Sequence, residues 1–73
     1  MFPEVIAVFG EYIKACRVKA GLSQQKLGEM CGYTGHTAQT VVQNWEYNKQ
    51  PVPLEKIRIL AASLDIPIDS LIP

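Results

Sequence analysis

Amide and hydroxyl side chains recur at helical spacing in the middle of the chain. Gln39 and Gln43 are four residues apart, as are Thr40 and Asn44, so each pair falls on one face of an α-helix. Glutamine and asparagine can pair with N6 and N7 of adenine through two hydrogen bonds, and a threonine methyl can contact the thymine methyl. These four residues are therefore candidates for contacts with DNA bases. The solvated face of an ordinary amphipathic helix has the same composition, and the pattern alone gives both interpretations similar weight.

The helix that carries these side chains is predicted to run from Thr37 to Tyr47. Its apolar stripe consists of Ala38, Val41, Val42 and Trp45. A shorter helix is predicted before it, because Ser23 is a good N-cap and Gly32 is a typical residue just past a helix end. A capped helix, a tight connection and a second helix with a polar face are the layout of a helix-turn-helix. The unit spans about residues 23–47.

The rest of the chain also has helical patterning. A first helix is predicted to end near Lys19 or Ala20, before Gly21. A fourth helix is indicated by apolar residues at helical spacing, namely Leu54, Ile57, Leu60, Ala61 and Leu64. A short fifth helix is predicted from Ile66 to Ile72, opened by Pro67, and no segment alternates as a strand would. The 73 residues therefore predict a single all-α domain of five short helices, spanning residues 1–73.

Charge gives only a weak indication of a nucleic-acid partner. Seven basic residues balance seven acidic ones, so the formal net charge is zero. Residues 10–50 hold five basic and three acidic residues, an excess of two positive charges on the helix-turn-helix half. Such an excess would neutralise few phosphates, and a solvated surface can produce it by chance.

Other classes of chemistry have little support in the sequence. Cys16 and Cys31 fall on apolar helix faces and are interpreted as reduced core residues. His36 is the only histidine and no CxxC pair exists, so neither a metal site nor a cofactor is expected. No catalytic constellation and no small-molecule site are evident, so we do not expect an enzyme. The longest apolar stretch is too short to span a bilayer, and a cytoplasmic location is expected.

Four blocks of sequence, taken in order, resemble a known family. The blocks are Gly10–Arg17, Gly21–Gly28, Val42–Glu46 and Ala61–Leu71. Together they make residues 10–72 similar to the phage-repressor (Cro/CI, also called XRE) helix-turn-helix family. The resemblance implies a lambda-repressor-like fold and sequence-specific binding to double-stranded DNA.

The resemblance also implies roles for individual residues. Arg17 and Glu46 match a buried structural ion pair that links the first helix to the end of the recognition helix. Gln24 matches a glutamine that holds a phosphate, and Lys49 matches a second contact with the DNA backbone. The family's base-contacting positions correspond to Gln39, Thr40 and Asn44.

One segment departs from the family pattern. Counting back from Glu46, the block Gly35–Ala38 reads as an insertion of four residues. Either the turn is lengthened, or the recognition helix gains an N-terminal turn. The helical interpretation is favoured because Ala38 keeps a four-residue spacing to Val42. In that case we expect His36 and Thr37 to project toward the major groove of DNA and to make additional DNA contacts.

The function predicted from these features is a transcriptional regulator, most simply a small Cro-like repressor of phage, plasmid or chromosomal origin. It would bind a palindromic operator as a homodimer. Apolar residues crowd both termini and are candidates either for the dimer interface or for completing the core: Phe2, Val5, Ile6, Val8, Ile66, Ile68, Leu71 and Ile72. The alternative is a protein-interaction module or antitoxin on the same fold with little affinity for DNA, which the zero net charge keeps open.

Overall fold

Helices make up the regular structure of this protein. A computed structural model describes the backbone of residues 3–71 and the side chains of residues 9–71. The four α-helices are α1 (Pro3–Lys19), α2 (Gln24–Met30), α3 (Gly35–Glu46) and α4 (Leu54–Leu64), and a 3₁₀ helix follows at Ile68–Leu71. The described part of the chain contains no strand. The prediction of an all-helical domain is therefore confirmed for these residues.

The predicted fifth α-helix is wrong. The structure has a four-residue 3₁₀ helix at Ile68–Leu71, and Ile72 lies outside the described residues. The backbone N–H of Ser70 donates to the carbonyl oxygen of Pro67 at 3.0 Å, and the Ser70 hydroxyl donates to the same oxygen at 2.6 Å. The N–H and the hydroxyl of Ser70 thus both donate to the carbonyl oxygen of the residue three positions earlier. This spacing is that of a 3₁₀ turn.

Glycines end the first two helices as predicted. Gly21 and Gly32 have φ angles of +76° and +100°, in the region that a side chain disfavours. At the end of α2 the N–H of Tyr33 donates to the carbonyl oxygen of Gly28 at 3.0 Å, which closes a Schellman motif. The chain therefore turns sharply between α2 and α3.

The core has α3 at its centre. The stripe of α3 is buried at Ala38, Val42 and Trp45, whereas Val41 is only half-buried. The ring of Trp45 meets that of Tyr33 edge-on at a centroid distance of 6.1 Å. The other buried apolar residues come from every element: Ile13, Leu27, Cys31, Ile57, Leu60, Ala61, Leu64 and Leu71. Trp45 is thus a core residue and is not available to stack on a base.

The α2–α3 connection is not lengthened. It is the four-residue segment 31–34, and Gly35–Ala38 form the first turn of α3. The helix also begins two residues before the predicted start at Thr37. Ala38 is fully buried, so the inserted block extends the apolar stripe by one turn and its burial stabilises the added helix. The structure therefore has the longer recognition helix, and not the lengthened turn that the sequence also allowed.

Two glycines allow α3 to approach its neighbours closely. A Cβ atom placed on Gly28 of α2 would lie 2.6 Å from the carbonyl carbon of Ala38. A Cβ atom on Gly10 of α1 would lie 2.5 Å from the carbonyl oxygen of Glu46, at the other end of α3. Both contacts are with backbone, which cannot move aside as a flexible side chain can. Glycine is therefore required where α1 and α2 pack on α3.

The apolar residues near the C-terminus contribute to the core. Leu71 is 1% exposed, so it is unavailable for an interface in this conformation. Ile66 is half-buried against the core, and Ile68 is exposed. Phe2 lies outside the described residues, as do the side chains of Val5, Ile6 and Val8. No helix in the described part of the chain combines the length and hydropathy needed to cross a membrane.

We predict that Gly28→Ala destabilises the protein by about 1–3 kcal/mol, the usual cost of overpacking. Alanine is the better helix former by about 1 kcal/mol, so helix propensity alone predicts the opposite sign. Chemical denaturation measures the free energy of unfolding. The control is Lys26→Ala, an exposed position of α2 where we expect a change within about 0.5 kcal/mol. A Gly28→Ala protein as stable as the wild type would contradict the close approach of α2 and α3.

Candidate nucleic-acid interface

A buried ion pair joins α1 to the end of α3. Arg17 Nε donates to Glu46 Oε2 at 2.6 Å, and Arg17 Nη2 donates to Glu46 Oε1 at 3.4 Å. The Glu46 side chain is fully buried and that of Arg17 is 11% exposed. The structure therefore brings together the two residues that the family resemblance pairs. Because the carboxylate is buried, removing this guanidinium would leave it without its partner, which is costly.

The same ion pair fixes the start of α2. Gln24 Nε2 donates to Glu46 Oε1 at 3.0 Å, and Arg17 Nη1 donates to the carbonyl oxygen of Leu22 at 2.8 Å. Ser23 caps α2 by accepting from the N–H of Lys26 at 3.0 Å. Three charge-assisted bonds converge on Glu46, and a fourth reaches the α1–α2 connection. The first turn of α2 and the end of α3 are consequently held in one orientation.

The solvent-facing side of α3 carries the predicted base contacts. Gln39 is exposed, whereas Thr40, Gln43 and Asn44 are half-buried. Gln39 forms one wall of an open groove of about 360 Å³ whose other lining residues are Arg17, Ser23, Gln24 and Gln25. The structure thus places Gln39 beside Gln24, the residue expected to hold a phosphate. A base contact and a backbone contact can be made from the same groove.

Asn44 and Lys49 lie at the opposite end of α3. Asn44 Nδ2 donates to Gln50 Oε1 at 3.2 Å, and the N–H of Lys49 donates to the carbonyl oxygen of Asn44 at 2.8 Å. The side chain of Lys49 is exposed, with its Nζ 6.0 Å from the centre of the Tyr47 ring. The backbone of Lys49 therefore contacts Asn44, while its charged end lies near the Tyr47 ring.

The added first turn of α3 is exposed on its outer side. Gly35, His36 and Thr37 are all exposed, while Ala38 on the inner side is buried. Thr34 is the N-cap, but its side chain makes no capping hydrogen bond. His36 and Thr37 are therefore accessible to a ligand. They lie less than one helical turn from Gln39, which lines the open groove on the protein surface.

The surface of α3 is uncharged. Between Gly35 and Trp45 it has no acidic residue, lysine or arginine, and the charge of Glu46 is buried and paired with Arg17. Exposed cations on the elements before and after α3 include Lys26 and Lys49. An arrangement of neutral amides and hydroxyls flanked by lysines suits base contacts between two rows of phosphates.

The buried thiol near the helix-turn-helix is chemically inert. Burial raises the pKa of the Cys31 thiol above its ordinary value, and the positive charge of Lys56 opposes this rise only in part. The thiol therefore stays protonated at neutral pH and lacks the thiolate needed for nucleophilic attack. Cys16 is half-buried and packs against the core, Cys31 is buried within it, and both are free thiols.

Two residues of this surface were not identified from the sequence. Gln25 lines the groove next to Gln24, and its Nε2 donates to Glu29 Oε2 at 3.1 Å. Its position immediately after Gln24 could have indicated this role. Gln50 contacts Asn44 from a loop bounded by Pro51, where helical periodicity gives no information.

Comparison with known proteins shows the family of this chain. The family model described as "Helix-turn-helix" matches residues 13–71. The chain belongs to this family, of the XRE/Cro/CI type. Its members are DNA-binding regulatory domains, which makes this protein a DNA-binding transcription regulator. No curated protein and no solved structure gives a significant match.

We predict that Arg17→Ala lowers the free energy of unfolding by about 3–5 kcal/mol, because it leaves the Glu46 carboxylate buried without its partner. Equilibrium denaturation in urea tests this. Lys14→Ala is the matched control, an exposed cation of the same helix, and we expect a change within about 0.5 kcal/mol. A decrease below about 1 kcal/mol for Arg17→Ala would equal that of a surface pair and would contradict the burial of this one.

Proposed function

We propose that this protein is a sequence-specific transcriptional repressor of the Cro type that reads the major groove with α3. The observation that carries the proposal is the uncharged amide and hydroxyl face of α3, held beside the first turn of α2 by the buried ion pair. Reading bases requires side chains fixed to within a fraction of an ångström, and a rigid scaffold behind them supplies this. Occupation of an operator by such a domain would block access to the DNA it covers.

In the proposed complex each residue has a defined task. Gln39 and Asn44 contact base edges from the two ends of α3, and Thr40 and Gln43 lie between them on the same face. Gln24 and Lys49 contact phosphates on either side of the major groove of the DNA. His36 and Thr37 extend the contact along the DNA through the added turn of α3. No metal or cofactor takes part.

A homodimer is the proposed binding form. A two-fold dimer would place two copies of α3 about 34 Å apart, one turn of duplex, on a palindromic operator. Five large hydrophobic residues of the described part are exposed: Val18, Met30, Tyr47, Leu54 and Ile68. Among these, Ile68 belongs to the terminal segment that is a candidate either for the interface or for completing the core. Sedimentation equilibrium with and without operator DNA would test the oligomeric state.

The second candidate function is protein interaction without DNA affinity. It is favoured by the zero net charge, because seven acidic residues offset the basic ones. A cytoplasmic adaptor or antitoxin of this fold would present the same face of α3 to a protein. Binding to DNA and its dependence on salt separate the two candidates.

We predict that affinity for duplex DNA falls as the salt concentration rises, with a slope set by the few phosphates that the protein neutralises. Each neutralised phosphate contributes a slope of about −0.9 to a plot of log K against log salt concentration. Fluorescence anisotropy with a random duplex between low and physiological salt measures this slope. Lys49→Ala should make the slope shallower by about 1. Absence of binding at low salt would favour the protein-interaction function.

We also predict that amide and lysine substitutions have different effects on sequence preference. Gln39→Ala and Asn44→Ala should each relax preference at particular base pairs, by about 1–3 kcal/mol for each bidentate pair of hydrogen bonds removed. Lys49→Ala should weaken binding about equally on all sequences. Selection from a random duplex library, followed by binding to single-base variants, measures both effects. If both amide variants keep the sequence preference of the wild type, the base contacts must be made by His36 and Thr37 instead.

A further inference from the structure

Asn44 is the candidate base contact whose side chain has a hydrogen-bond partner on a different segment. Its Nδ2 donates to Oε1 of Gln50 at 3.2 Å, and the two residues are six apart in sequence. Gln50 is exposed and lies in the loop between α3 and α4. Neither residue has a charge, so the contact is directional without being electrostatically strong.

The backbone of the loop makes this contact possible. Asn48 adopts a left-handed conformation with φ of 61° just after the end of α3. The N–H of Lys49 then donates to the carbonyl oxygen of Asn44 at 2.8 Å, which closes a Schellman motif at the end of α3. The chain therefore folds back over the last turn of the helix, and Gln50 follows directly. Asn44 is held by this loop through both its backbone and its side chain.

An asparagine amide needs such a contact if it is to choose between bases. The terminal torsion of asparagine is broad, and its oxygen and nitrogen ends exchange places on rotation by half a turn. In the contact that the structure shows, Gln50 presents its Oε1, so the nitrogen end of Asn44 faces the loop. One N–H and the Oδ1 acceptor of Asn44 remain free, and this is the pair that adenine N7 and N6 require.

We propose that Gln50 is a positioning residue for DNA recognition, which orients the Asn44 amide and thereby determines its base preference. This inference rests on the proposed function, since it assigns a partner to one of the base-reading residues. Gln50 acts through Asn44 and need not touch a base. Because Gln50 is exposed, its substitution should leave the fold intact.

The test compares base discrimination by four proteins on an operator selected from random duplexes. The proteins are the wild type, Asn44→Ala, Gln50→Ala and the double variant, with Lys49→Ala as the control from the same loop. We expect Gln50→Ala to reduce discrimination roughly two- to tenfold, on the order of one neutral hydrogen bond, at the base pair affected by Asn44→Ala. The double variant should discriminate no less than Asn44→Ala alone, because Gln50 has no other route to the base.

A conservative variant separates orientation from a direct phosphate contact. Gln50→Glu retains the acceptor oxygen and adds a negative charge, so it should keep the base preference while weakening binding to all sequences. A Gln50 side chain that only contacts phosphate would give equal decreases in affinity on all sequences in Gln50→Ala and no coupling to Asn44. Unchanged discrimination in Gln50→Ala would overturn this inference and leave the proposed function standing. Selection that enriches no sequence would overturn both.

Discussion

The geometry of the proposed DNA-binding surface depends on one buried carboxylate. Glu46 ends α3 with its side chain fully buried, where an unpaired charge would cost several kcal/mol. Arg17 from α1 and Gln24 from α2 both donate to it, so a single residue ties three helices together. Hydrophobic packing alone would tolerate some rotation of α3, because apolar contacts are not directional. The ion pair and the Gln24 amide remove that freedom. By fixing the rotation of α3, they also set the direction of the polar side chains on its surface.

Two glycines complement the ion pair by letting the helices approach each other. Gly10 lies against the last turn of α3 and Gly28 against its first buried residue, Ala38. The contacts thus clamp both ends of α3, one through α1 and one through α2. The added turn of α3 is part of this arrangement, because Ala38 supplies the backbone on which Gly28 packs. An exposed extension without such a contact would fray, since a single helical turn has little stability of its own.

Sequence patterns predict the parts of this structure that are governed by local rules. Gly21 and Gly32 end their helices because each needs a left-handed conformation, and the stripe of Ala38, Val42 and Trp45 is buried because it repeats at helical spacing. Periodicity over a few residues does not separate an α-helix from a 3₁₀ turn, so the prediction for the C-terminal segment is wrong. Gln50 escapes prediction for another reason: its contact with Asn44 depends on how the loop folds back after Asn48, and no periodic pattern extends through that loop. The family resemblance, rather than spacing, pairs Arg17 with Glu46 across 29 residues.

The lack of charge on the surface of α3 has a consequence for how affinity and specificity are divided. Phosphate contacts supply most of the affinity of a DNA-binding protein, and they are the same for every sequence. A protein with zero net charge and few exposed lysines near α3 gains little from them. Its discrimination must then come from neutral amides, each of which is selective only when its orientation is fixed. In the proposed complex, the hydrogen bond that orients Asn44 therefore matters more than it would in a strongly basic domain, where a change in one orientation would be masked by electrostatic attraction.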